Sequence, residues 1–450
     1  MWRTSNWREE TRGLFRLAGP LIVNNLAIAG MQFADVVMAG RLGAESLAAV
    51  AVGSSIWFFG FVMCLGVLMA ISPIAARLFG AGNPELIGRY TRQGMYLGIA
   101  FGLLLIVLAH LTVKSLLVVI GVDESFRDLT VGYVLAIIPG APAIFVFLAL
   151  RFTTEGIGYT RPIMFTSILS LICNVFLNYV LMFGHFGAPA LGVAGCGLAS
   201  AITMWLIMIA LATYMMLSPR HKPLRIFSRV APLRPSVLKE ILILGVPIAV
   251  TITAEAGLFN AVSILMGTRG AAIAAAHQIA INFAATMFMV PLALSAAITI
   301  RVGHALGAGN AQAARFSGAL GILICACFMT CSAAFLLIFR HAVVGLYTND
   351  ASVTSIAISL LLMAAIFQVA DGIQIGAAGA LRGYKDTRLP MAINTFAFWV
   401  LAFPLAYLAA VTFKSPPSYV WGGFVVGLTV AAILLAWRYA YVSLSALSKE

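Results

Sequence analysis

No charged side chain lies between Glu45 and Arg77, and a run of that length without charge constrains the fold more than any other feature of the chain. About 20 apolar residues in a helix cross the hydrocarbon layer of a bilayer, where only helices and closed barrels satisfy their own backbone hydrogen bonds. The pattern recurs. Apolar blocks near 14–40, 46–76, 93–113, 128–150, 162–183, 193–217, 241–266, 272–300, 317–339, 353–380, 391–411 and 421–441 alternate with charged or Pro/Gly-rich breaks. Charged residues make up 10% of the 450 and the mean hydropathy is +1.02, whereas soluble domains carry about a quarter charged residues. The expected fold class is all-α, a polytopic membrane protein of twelve transmembrane helices.

The net charge of +13 raises the question of a nucleic-acid partner. With both termini placed in the cytoplasm, only Arg41, Lys114, Arg127, Arg269, Arg340 and Lys414 of the 28 Lys and Arg fall outside. The inner set includes Arg3, Arg8, Arg12, Arg16, Arg77, Arg89 and Arg92, and the stretch Arg220, Lys222, Arg225, Arg229, Arg234 and Lys239. This bias is the positive-inside pattern and sets the orientation, so the charge requires no nucleic acid. The basic N-terminus has an apolar stretch too long for a removable signal peptide and is read as retained. All six cysteines fall within expected spans, where they are expected to be small buried residues rather than disulfide or metal ligands.

Sliding the chain against itself at an offset of 227 residues superposes Pro20 on Pro247, Gly40 on Gly267, Gly43 on Gly270 and Gly80-Ala81-Gly82-Asn83 on Gly307-Ala308-Gly309-Asn310. Thr160-Arg161 falls on Thr387-Arg388, and Gly195 on Gly422. The chain therefore reads as a duplicated six-helix unit. Six is even, so the two lobes form a parallel internal repeat about an axis along the membrane normal. The expected division is an N-terminal lobe 1–217, a basic cytoplasmic linker 218–240 and a C-terminal lobe 241–450. Gly94, Gly98 and Gly102 form a small-residue stripe of the kind that lets helices pack closely.

Of fifteen acidic residues, Asp35, Glu255 and Asp371 alone fall well inside expected spans. Each costs roughly 2.5 to 3.5 kcal/mol to insert at a helix centre. Helical rise puts Asp35 about 9 Å from Arg41 and Asp371 about 16 Å from Arg382, between the midplane and the outer half of the bilayer. Their repeat counterparts are Val262, Ile28 and Ile144. The scaffold accepts an aliphatic residue at each place, so the acids point to function. No Lys or Arg stands at similar depth in those spans, and the expected counter-charge is a proton, a metal cation or a cationic ligand.

Asn174 and Asn178 share a helical face and, with Asn24, Asn25 and Gln32, form either a polar lining near Asp35 or interhelical glue. His277 and Gln278 read as a cavity wall or as packing. No Gly-Lys pair and no His-Glu pair exists, which removes the phosphate-binding loop and the HExxH zinc motif; neither ATP hydrolysis nor another enzymatic activity is expected.

The stretches "GMQFADVVMAGRLGAESLAAVAVGSS", "TAEAGLF", "AAAHQIAINF", "TIRVGHALGAGN" and "FQVADGIQIGAAGALRGYKDT" resemble the multidrug and toxic compound extrusion (MATE) family, in its NorM-type branch. The resemblance runs from about residue 14 to 441. It implies a multidrug efflux antiporter of a bacterial inner membrane, working as a monomer by alternating access, with small organic cations leaving as Na⁺ or H⁺ enters and no cofactor. Glu255 and Asp371 match the coupling-ion acids of the C-terminal lobe, with Na⁺ as the metal they would hold, and Asp35 the first-helix acid used for coupling or drug binding. Ser55, Phe259, Gln278 and Asp350 match substrate-binding positions. Asn178 stands where a related branch has aspartate, and Phe367 where some relatives have tyrosine. Two other classes compete: a lipid-linked oligosaccharide flippase, for which basic residues would line the cavity, and a cation channel, which would place its acids in one ring.

Overall fold

The computed structural model describes residues 6–228 and 232–448. Arg3 and Arg229 lie outside these residues. Twelve helices are long and apolar enough to span a membrane: α1 Trp7–Arg41, α2 Ala44–Gly80, α3 Pro84–Ile120, α4 Glu124–Gly156, α5 Arg161–Phe183, α6 Gly192–Leu217, α7 Pro235–Gly267, α8 Ala271–Gly307, α9 Ala311–Gly345, α10 Ala351–Gly383, α11 Arg388–Thr412 and α12 Pro417–Leu447. No strand occurs among the described residues. The helices overrun the expected apolar blocks, most visibly α3, because backbone hydrogen bonding continues into the charged ends that hydropathy excludes.

Three spans depart from regular geometry, and each carries a proline there. In α2 the helix breaks after Leu68 and resumes at Ile71; Pro73 has no N–H to offer the Met69 carbonyl, which instead accepts from Ser72 at 3.2 Å. Pro139 sits in the 3₁₀ turn Ile138–Gly140 of α4. In α11 Pro404 follows a π-helical stretch, Phe396–Ala402.

The 227-residue offset reappears in the elements. α2 and α8 end at Gly80 and Gly307, α3 and α9 begin at Pro84 and Ala311, α4 and α10 end at Gly156 and Gly383, and α5 and α11 begin at Arg161 and Arg388. Gly43 and Gly270 share a φ of 120°, a backbone conformation that a β-carbon disfavours.

The chain forms two compact units, which do not divide it at 217 and 241. The first runs from Gly19 to Ala249; the second combines the residues up to Ala18 with those from Val250 on. Two continuous helices, α1 and α7, therefore pass from one unit into the other. The described part of the linker 218–240 is docked on the first unit. Gln93 donates to the Pro232 carbonyl and accepts from the Arg234 N–H, both at 3.0 Å, and the absence of a β-carbon at Gly88 lets the Leu224 carbonyl lie against α3. The glycine stripe is a packing feature: a β-carbon at Gly98 or Gly102 would stand 2.9 Å or 2.5 Å from the backbone of Phe145 or Pro142 on α4. Cys64, Cys196 and Cys325 are buried, Cys173 is partly buried, and Cys327 and Cys331 are exposed. The expectation of six buried thiols fails for the last two, which face outward on α9.

Candidate functional site

In the first unit, α1 and α5 bring Asp35 and Asn178 together. Asn178 Nδ2 donates to Asp35 Oδ1 at 2.5 Å and also to Asn174 Oδ1 at 3.1 Å. Asn174 in turn donates to Ser200 on α6 at 3.3 Å. The two asparagines are fully buried while Asp35 keeps partial exposure. Cys196 of α6 lies near the carboxyl. The Asn178 carbonyl oxygen has no donor, so the cluster presents that oxygen beside a carboxylate, an arrangement suited to a hard cation or a proton. Asn24 is spent elsewhere, bonded to Ser167 at 2.5 Å, and Gln32 is exposed.

In the second unit, Glu255 of α7 and Asp371 of α10 stand within electrostatic reach of each other. Asp371 is buried and its Oδ1 meets no donor, whereas Glu255 is partly exposed. Leaving such an oxygen unmatched costs about 1–3 kcal/mol or more, a cost that a bound cation or proton would offset. Gln374 lies near the Glu255 carboxyl, and neither atom of its buried amide has a hydrogen-bond partner. Trp399 donates to the Ala254 carbonyl at 3.1 Å and fits because Gly257 has no β-carbon; this ties the π-helical stretch of α11 to the turn that carries Glu255. π-Helical turns concentrate at functional sites.

The expectation that no resident cation faces these acids is corrected here. Arg382 is buried, donates to Ser295 Oγ at 2.7 Å and lies within Coulombic reach of Glu255. Its Cα is a long way down α10 from Asp371, but a four-bond side chain carries charge well away from its own turn. Ser295 is held for this contact by donating to the Ile375 carbonyl at 2.6 Å. Sequence distance missed Arg382; the buried Ser295 on α8 gave no signal at all. The nearby acid Asp386 is already paired with Arg438 at 2.7 Å.

The expected substrate residues have diverse surroundings. Ser55, in the first unit, is exposed and its hydroxyl donates to the Ala51 carbonyl at 2.8 Å. Phe259 stacks on Phe424 at 4.7 Å, and Gln278 is exposed. Asp350 caps the N-terminus of α10, accepting from the Ser352 N–H at 2.8 Å and its hydroxyl at 2.7 Å, and these bonds hold its carboxyl below the usual range. No hydrogen bond or ring contact joins Asp350 to Phe259 or Gln278 among the described residues. His277 is a packing residue: it is buried, accepts from the Trp421 indole at 3.0 Å and meets Ser263 Oγ at 2.8 Å. Phe367 packs against Trp421 and Phe424, where a tyrosine hydroxyl would need its own partner.

The profile of the MatE family matches residues 20–180 and again 247–408, two copies that begin at the offset found by self-comparison. The chain belongs to the MatE family. It is a transporter and not an enzyme. Multidrug resistance protein MdtK of Edwardsiella ictaluri (strain 93-146) is 37% identical over 440 residues, covering 97% of this chain and 96% of that protein. Among solved structures, a MATE transporter in complex with MaL6 superposes with a TM-score of 0.88 at 22% identity, covering 98% of each chain. The eukaryotic MATE transporter AtDTX14 gives 0.85 at 23%, covering 98% and 99%. At those identities the superpositions establish the MatE fold, in keeping with the twelve helices and the duplicated halves.

Proposed function

We propose that this MatE protein is a multidrug efflux antiporter of a bacterial inner membrane, with both termini cytoplasmic, acting as a monomer. Lipophilic organic cations leave as Na⁺ enters at Glu255 and Asp371, and Asp35 couples or binds cationic substrate in the other unit, with Asn174 and Asn178 in support. Ser55, Phe259, Gln278 and Asp350 contribute to substrate binding. The relationship to a multidrug resistance protein supports the substrate class. The observation that carries the reading is the charge of the cluster around Glu255: the Glu255 and Asp371 carboxylates, when both are ionised, and the buried Arg382 guanidinium sum to one negative charge, the complement of a single monovalent ion. Exchanging one Na⁺ for one monovalent organic cation moves no net charge, so the driving force is the Na⁺ gradient, about 1.4 kcal/mol for each tenfold concentration ratio.

The test is a Na⁺ jump at fixed pH in liposomes preloaded with a cationic dye. Dye release is expected to accelerate in wild type and to ignore Na⁺ in Glu255→Gln and Asp371→Asn. Release that follows an imposed pH step and is indifferent to Na⁺ would replace sodium by the proton.

A further inference from the structure

α1 and α7 each carry, near the N-terminal end, a hydrogen-bonded acid that the coupling reading does not use. Glu10 is almost completely buried. Its Oε1 accepts from Arg301 Nε at 2.8 Å and from Ser317 Oγ at 2.6 Å, and its Oε2 from the same guanidinium. The Arg301 guanidinium also lies against Gly13, one turn on, 3.4 Å from where a β-carbon would be, an ordinary contact distance. Arg301 belongs to α8 and Ser317 to α9, and Leu14, Leu17 and Ala18 join the core built from Leu294, Ile298 and Ala314. On α7, Glu240 accepts from the Tyr90 hydroxyl of α3. Nearby, Gly245 lies against the Val67 backbone and Ala249 against Gly66 of α2.

Each helix is thus held at its start in one unit and carries its coupling acid in the other. Glu10 is docked in the second unit, yet Asp35, about 37 Å farther along the same helix, is bonded in the first. Glu240 is docked in the first unit, and Glu255 lies in the second. The receiving positions, Tyr90 and Ser317, are repeat mates at the 227-residue offset. The acids are not: the mate of Glu10 is Val237, and that of Glu240 is Gly13. Two different positions therefore supply the same contact, which points to a requirement for the contact itself.

We propose that Glu10 and Glu240 are positioning residues that pin the starts of α1 and α7, so that an event at Asp35 or Glu255 is transmitted along a continuous helix to the other unit. Pinning does not touch the ion or the drug. Its loss therefore leaves binding intact and lowers the yield of transport per ion. This rests on the antiporter reading above.

The experiment uses the full chain in two assays: ion-driven uptake of a cationic dye into liposomes, and binding of the same dye in detergent. Glu10→Ala and Tyr90→Phe are expected to bind dye within twofold of wild type while transport falls at least fivefold. The charge-exchanged pair Glu10→Arg with Arg301→Glu is expected to regain transport to within twofold. Tyr90→Phe removes one hydroxyl and carries the test should Glu10→Ala fail to fold. Wild-type transport in Tyr90→Phe, or an exchanged pair that binds dye but transports no better than Glu10→Ala, overturns the inference. A wild type that moves no dye under either a Na⁺ or an H⁺ gradient overturns the antiporter reading as well.

Discussion

Asp35 and Asp371 are both intramembrane aspartates, but their partners differ. Asp35 is met by an amide donor, while Asp371 has an oxygen with none. In Asp35→Asn the side chain keeps its shape and an oxygen for Asn178 to bond, so expression should match wild type while efflux falls at least tenfold; resistance equal to wild type in cells carrying the variant would remove Asp35 from the mechanism. His221, in the linker, makes a prediction of a different kind. It is buried with neither ring nitrogen bonded, and burial, helped by Arg220, lowers its pKa to about 4. As pH falls from the ordinary histidine value near 6.5 towards 4, the unfolded chain takes up a proton that the folded one refuses, so His221 costs stability across that window. Thermal unfolding in detergent should therefore show a smaller loss between pH 7 and pH 4.5 in His221→Phe than in wild type.

Among the elements, α3 and α4 show how glycine sets the separation of two helices. Gly94, Gly98 and Gly102 present one face of α3, and a side chain at the middle position would enter the Phe145 backbone, which cannot rotate away. Gly98→Leu should destabilise the folded protein by about 1–3 kcal/mol or more, the usual cost of overpacking, read as a lower unfolding temperature in detergent. Leu103→Ala on the exposed face of the same helix should leave that temperature nearly unchanged. The proline breaks belong to this scale too: Pro73, Pro139 and Pro404 shape single spans without altering the number of crossings.

For the whole molecule, duplication built a symmetrical frame and the acids then made it asymmetrical. Asp35 lies in the first unit opposite an aliphatic mate, and Glu255 and Asp371 in the second opposite Ile28 and Ile144. If drug and ion compete through one conformational equilibrium, linkage requires that each weaken the other's binding by the same factor. Titrating dye at several Na⁺ concentrations, and Na⁺ at several dye concentrations, should give equal factors; unequal ones would show that the two ligands do not share that equilibrium.

The number of spans, the all-helical class, the duplication and the placing of Asp35, Glu255 and Asp371 within spans were legible in the amino-acid order, because each is a local or periodic property. A run without charge has one home, a fixed offset survives in the numbering, and an acid in a hydrocarbon layer is costly wherever the helix lies. Asn178 was legible as a partner of Asn174 by helical spacing, but its bond to Asp35 joins residues 143 apart. The order of residues also separated Arg382 from Glu255, and gave no sign that the Asp350 carboxyl caps a helix or that the linker is packed on the first unit. Those matters were decided by tertiary structure alone. Side-chain reach, capping geometry and the passage of α1 and α7 from one unit to the other depend on which helices become neighbours, and adjacency in space is not written in distance along the chain.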